Sequence, residues 1–171
     1  MTAKNYQKSA FQALIKHFKE VEREWDVARG ATDPLRHGAT YAPRLDIAVG
    51  PFNKGLEGAV SKQRIIRSCG RHPVVRKIID RNTQIRFNRN PRCVLAIEIE
   101  FSGSSKHVLG DFTNASMMGL VGLVIVPPSK FEKASRIYRY VEFVKAVHKA
   151  PADLFRNLVL FKTHEFLELL K

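Results

Sequence analysis

The chain has 171 residues, 44% of them apolar, a length and composition that fit one domain with a single hydrophobic core. No run of about 18 uninterrupted apolar residues occurs and the basic N-terminus lacks the apolar stretch of a secretory signal, so no helical membrane span and a cytoplasmic protein are expected. The formal charge of +13, from 29 Lys and Arg against 16 Asp and Glu, favours a polyanionic partner such as DNA or RNA.

In chain order, Phe11, Leu14, Ile15, Phe18, Val21 and Trp25 recur at spacings of three and four, which predicts one amphipathic helix over residues 6–28. Glu20 and Glu24 share a side of it, from which one of them could flank a site on the sheet. Residues 40–49 then read as a strand, with Leu45, Ile47 and Val49 alternating against Arg44, Asp46 and Ala48. Asp46 therefore stands opposite the apolar set.

The loop GPFNKGLEG leads into a predicted helix over residues 57–68. Pro73 opens a second one with Val74, Val75, Ile78 and Ile79 on its apolar face, and TQIRF reads as a brief strand. Residues 53–92 look like a basic helical insertion between the acid-bearing strands. Its stretch from 62 to 92 holds ten Lys and Arg against the single acid Asp80. Arginine dominates, which suits forked contacts to phosphates or base edges, so Lys62, Arg64, Arg67, Arg71, Arg76 and Lys77 are the candidate nucleic-acid-binding residues. The two cysteines, Cys69 and Cys93, are too few for a zinc set and read as buried thiols.

The stretch CVLAIEIEF, Cys93 to Phe101, places two carboxylates inside an apolar strand. Val94, Ala96, Glu98 and Glu100 project to one side, and Cys93, Leu95, Ile97, Ile99 and Phe101 to the other. Acids so placed must reach an open cleft or be compensated by a cation. The expectation is that Asp46, Glu98 and Glu100 meet at the strand ends and hold a divalent metal. A turn, SGSSKH, follows, and Asp111 is the expected N-cap of a short helix ended by Gly119.

Residues 120–126 contain no polar member and predict a strand covered on both faces. Ser129 and Glu132 form a capping-box pattern for a helix running to about Lys149, and NLVLF is the last strand, with Thr163 capping a final turn. Alternation of strand and helix from residue 93 onward implies at least partly parallel pairing. Nothing resembling a glycine-rich phosphate loop appears, so a nucleotide cofactor is not supported.

The order helix, strand with Asp46, strand with Glu98 and Glu100, short helix, apolar strand resembles the core of the PD-(D/E)XK nucleases. The residues that carry it are Pro43-Arg44-Leu45-Asp46 and Glu98-Ile99-Glu100. The resemblance implies a single domain over residues 1–171 with an α/β, restriction-endonuclease-like mixed sheet flanked by helices. It implies a Mg²⁺-dependent endodeoxyribonuclease, with Mn²⁺ as a substitute ion, that cuts phosphodiester bonds to leave a 5′-phosphate. Asp46 and Glu98 would be metal ligands, with the backbone carbonyl of Ile99 a further oxygen. Glu100 stands where the family usually has Lys. It would ligate a second metal or accept a proton from water, and Lys106 or Lys62 would be a displaced lysine, with His107 a weaker acid or base candidate. DNA is the expected partner, RNA the second candidate, and a homodimer would let two sites cut two strands. The alternatives are a DNA- or RNA-binding protein of this fold without catalysis, and a basic structural or ribonucleoprotein component whose acids lie too far apart to share an ion.

Overall fold

Five strands form one mixed sheet in chain order: β1 (Val21–Asp26), β2 (Arg44–Val49), β3 (Cys93–Ile99), β4 (Gly119–Val126) and β5 (Leu158–Lys162). β1, β2 and β3 pair antiparallel, whereas β3, β4 and β5 pair parallel. The computed structural model describes residues 1–26, 43–53, 58–69, 72–82 and 84–171. Among these residues six helices flank the sheet: α1 (Ala3–Leu14), α2 (Gly58–Cys69), α3 (Pro73–Ile79), α4 (Ser105–Met118), α5 (Pro128–Ala146) and α6 (Thr163–Leu169). The chain is thus α/β, with no helix among the described residues long and apolar enough to cross a membrane.

Every residue of β3 and β4 is buried, as expected of strands covered on both faces. One face packs Ile47, Leu95, Ile97, Leu123 and Phe161 against α1, α2, α3 and α6. The other packs Ala48, Ala96 and Val124 against Val108, Phe112 and Ala115 of α4 and Ala134 and Val141 of α5. Gly122 lets α4 approach β4 closely, since a Cβ there would stand 2.7 Å from the backbone carbonyl of Ala115. The far end of α4 is tied down by Asn88, whose amide donates to the carbonyls of Ser116 and Met117, and by buried Asn157, which donates to those of Ser116 and Gly119. Carbonyls left over at the helix end are satisfied this way, and the helix is held in place over β3.

Several sequence expectations are corrected. The helix expected over residues 6–28 stops at Leu14, and Val21–Asp26 is the edge strand β1, with Trp25 level with Leu45. Spacings of four along VEREW fit a strand as well as a helix, and pairing with β2 decides. Asp111 is not an N-cap: α4 begins six residues earlier, at Ser105 with Ser104 as cap residue, and Asp111 lies within it. Lys106 and His107 accordingly sit in the first helical turn rather than in a loop. The capping box at Ser129 does not form, because α5 starts at Pro128 with no side-chain cap bond, and it ends at Ala146. Residues 84–87 form no strand. The expected insertion is built into the core, because Ile65, Cys69, Val74, Val75 and Ile78 of α2 and α3 pack on the sheet.

Candidate active site

The β2–β3 ladder ends at the Ile47–Ile97 pair. Continued by one residue, that register sets Asp46 level with Glu98, and the β1–β2 register sets Glu24 level with Asp46. Three neighbouring strands therefore each offer one acid in a single row. Where the ladder stops, side chains replace backbone partners: Asp46 Oδ2 accepts the amide of Ile99 at 2.7 Å, and Glu98 Oε2 accepts the amide of Asp46 at 3.2 Å.

Helices close the row from both ends. Gln7 of α1 donates through Nε2 to Glu24 Oε1 at 2.8 Å and to the carbonyl of Asp46 at 2.9 Å, with Asp46 Oδ1 at 3.4 Å. From α4, Asn114 Nδ2 donates to Glu98 Oε1 at 3.1 Å. Asp111, one turn before Asn114, hydrogen-bonds Glu100. Glu100 turns its Oε1 to the amides of Ser102 and Gly103, and its Oε2 lies 3.8 Å from His107 Nδ1. Gly103 has φ of +68°, a conformation that favours glycine, and the stem of Lys130 lies directly over it.

Burial and mutual repulsion set the charge of this group. Glu98, only 4% exposed, is pushed up to about 8 by burial and by the charges of Asp46 and Asp111, against the pull of the Asp46 amide and Asn114. Asp46 is raised to about 6, by burial first and then by Glu24 and Glu100, while the Ile99 amide pulls the other way. Asp111 is raised to about 8 by burial and by neighbouring Glu100. Glu100 goes the other way: burial raises it, but hydrogen bonds from Ser102, Gly103 and Asp111 outweigh burial and leave it below the usual glutamate range. At neutral pH the site thus contains an ionised Glu100 and a largely ionised Asp46 beside Glu98 and Asp111, which retain their protons.

The structure brings together Asp46, Glu98 and Ile99 of the expected set, with Glu100 beside them on the following loop. Among the described residues no group of three or more His, Cys, Asp or Glu side chains is disposed to hold a metal ion. The reason is visible in the hydrogen bonds, which aim Glu100 at the Ser102–Gly103 amides and not at Asp46. Mg²⁺ is commonly held by one or two carboxylates with water filling the remaining positions, so Asp46 and Glu98 remain a fitting donor pair. Lys106 is exposed and makes no ion pair with the acids among the described residues. Of the Glu20 and Glu24 pair, Glu24 joins the site and bonds Arg44 at 3.1 Å, while Glu20 holds Arg64 at 2.8 Å.

The expected nucleic-acid-binding residues lie on α2 and α3, on the face of the sheet opposite α4. Arg67, Arg76 and Lys77 are exposed there, Lys62 is half-buried, and Arg71 lies outside the described residues. Gln7, Asp111 and Asn114 are site residues that the sequence reading missed. Asp111 is three residues after Val108 and four before Ala115, hence on the buried stripe once the helix is drawn from Ser105. Gln7, between buried Tyr6 and Ala10, carried a similar signal. Compared with protein-family models, curated proteins and solved structures, the chain matches none.

Proposed function

We propose that the chain is a divalent-metal-dependent endonuclease acting on DNA, with Asp46 and Glu98 as metal ligands. The observation that carries this reading is the cross-strand pair itself: buried Glu98 and half-buried Asp46 on adjacent strands, at the point where the strands part, in a chain of charge +13. Buried like charges are costly, and a basic protein that needs only to bind nucleic acid gains nothing from them. The order α1, β2 with Asp46, β3 with Glu98, α4, β4 keeps the arrangement on which the resemblance to the PD-(D/E)XK nucleases rests.

A Mg²⁺ held by Asp46 and Glu98 would draw charge from the scissile phosphate and lower the pKa of bound water. Gln7 and Asn114 hold the two ligand chains from opposite sides, so their aim is fixed before substrate arrives. Ile99, whose amide is held by Asp46, would offer its carbonyl as a further oxygen. Glu100, held ionised, presents Oε2 as an acceptor that would orient the attacking water, with the His107 ring 3.8 Å away. Cleavage would leave a 5′-phosphate and a 3′-hydroxyl.

One observation favours the second reading, nucleic-acid binding without catalysis: Lys106, the expected replacement for the missing lysine, faces solvent. Incubating supercoiled plasmid and a single-stranded oligonucleotide with wild type and D46N, in Mg²⁺, Mn²⁺ or EDTA, separates the two. The nuclease reading predicts cutting by wild type alone and only with metal. Equal, metal-independent binding by both proteins with no cutting supports the second.

A further inference from the structure

The β5 edge of the sheet opens onto a cavity of about 930 Å³, lined by Arg81, Arg86 and Arg156 together with Phe131 and Tyr138 of α5. We infer that this groove binds the sugar-phosphate backbone of a nucleic-acid strand, with Arg86 and Arg156 as the phosphate contacts. The inference deepens the nuclease reading and rests on its premise of a nucleic-acid substrate, but it concerns a surface remote in the sheet order from the acids on β2 and β3.

Charge accounting selects the two arginines. The cavity holds two acids, and both are engaged: Glu165 by Arg81 at 3.4 Å and Lys162 at 3.3 Å, and Glu142 by Lys145 at 2.6 Å. Arg86 and Arg156 have no carboxylate partner among the described residues. The amide of Arg86 bonds the carbonyl of Arg156 at 2.9 Å, which fixes the two residues side by side on one wall. Paired guanidinium forks suit phosphate oxygens better than isolated ammonium groups do.

Shape points to a polymer. β5 is the last strand of the sheet, so the groove runs along an open edge and does not close around a small molecule. Half-buried Phe131 and Tyr138 line the same groove and offer apolar ring surface of the sort on which sugars and bases rest. An acidic peptide would satisfy the two forks equally well but brings no planar base or sugar to cover the rings of Phe131 and Tyr138.

The test is equilibrium binding of a fluorescein-labelled DNA single strand in EDTA, across a salt series, by wild type, R86Q/R156Q and the control R67Q/K77Q on α2 and α3. Binding in EDTA is read without any cleavage, so failure of the nuclease reading and failure of this one are distinguishable. The expected result is roughly tenfold weaker binding by R86Q/R156Q and a log–log salt slope shallower by about 1.4, with a smaller effect in the control. Should the double variant prove unstable, R86Q alone, at an exposed position, is expected to lower the slope by about 0.7. Wild-type affinity and slope in these variants would overturn the proposal. So would a loss no larger than the control's, or competition by polyglutamate as effective as that by DNA.

Discussion

Glu98 accepts the backbone amide of Asp46 at 3.2 Å across the gap where β2 and β3 part. The bond holds one acid by the main chain of the next, and Asp46 returns the arrangement through the amide of Ile99. Two carboxyls are thereby kept side by side in a largely buried place, where ionising both carries a cost that a bound cation would offset.

That cost appears as a pH dependence. Glu98, Asp46 and Asp111 have folded pKa values raised to about 8, 6 and 8, so the folded state holds more protons than the unfolded one between the ordinary carboxyl range and about pH 8. Stability of the metal-free protein should therefore fall as pH rises through that window. Glu100, shifted down, contributes in the opposite sense, and its contribution is lost only on acidification below the usual glutamate range. Thermal melts in EDTA from pH 5 to 9 are the measurement, and E98Q should flatten the decline.

Position 100 discriminates between a lost lysine and a position built for a carboxylate. Because Glu100 Oε1 accepts the amides of Ser102 and Gly103, E100K should leave those donors without an acceptor and lower stability by about 2 kcal/mol or more. It should not raise cleavage. Denaturant unfolding and plasmid nicking, run on the same preparations, check both halves.

Gly103 should tolerate alanine poorly. With φ at +68° the backbone strain costs about 1–2 kcal/mol, whereas the Lys130 stem can move aside. G103A should also slow turnover through Glu100. K130M, which keeps the stem, should retain the wild-type melting temperature, so any loss of activity in it would report the missing charge.

Gly122 positions α4 from below. A methyl group there meets the backbone carbonyl of Ala115, which cannot swing away, so G122A should cost about 1–3 kcal/mol. Shifting α4 moves Asn114 off Glu98, and cleavage should fall more than the stability loss explains. Melting temperature and nicking rate, compared with N114A, test that link.

The acid pair was legible in the sequence because period-two alternation left Asp46 and Glu98 no apolar role. The continuous run at 120–126 likewise announced β4. The short strand β1 was not legible, since Val21 and Trp25 also fit a helical period and only pairing with Val49 and Leu45 selects the strand. Asp111 reads as an N-cap, a role its residue type suits, whereas α4 starts six residues earlier and carries it inside the helix. Glu100 sits next to Glu98 in the pattern, yet the turn after β3 sends it to the Ser102–Gly103 amides. Such a local choice depends on loop backbone, which alternation does not encode.

The central claim is that Asp46 and Glu98 share a divalent cation. Calorimetric titration of Mn²⁺ into wild type, D46N and E98Q at pH 7, in two buffers of different ionisation enthalpy, tests it most directly. Because Glu98 retains its proton at that pH, uptake by wild type should release it and make the heat depend on the buffer, while both variants should show little or no binding. Equal uptake by all three proteins, or no uptake by wild type, would contradict the account.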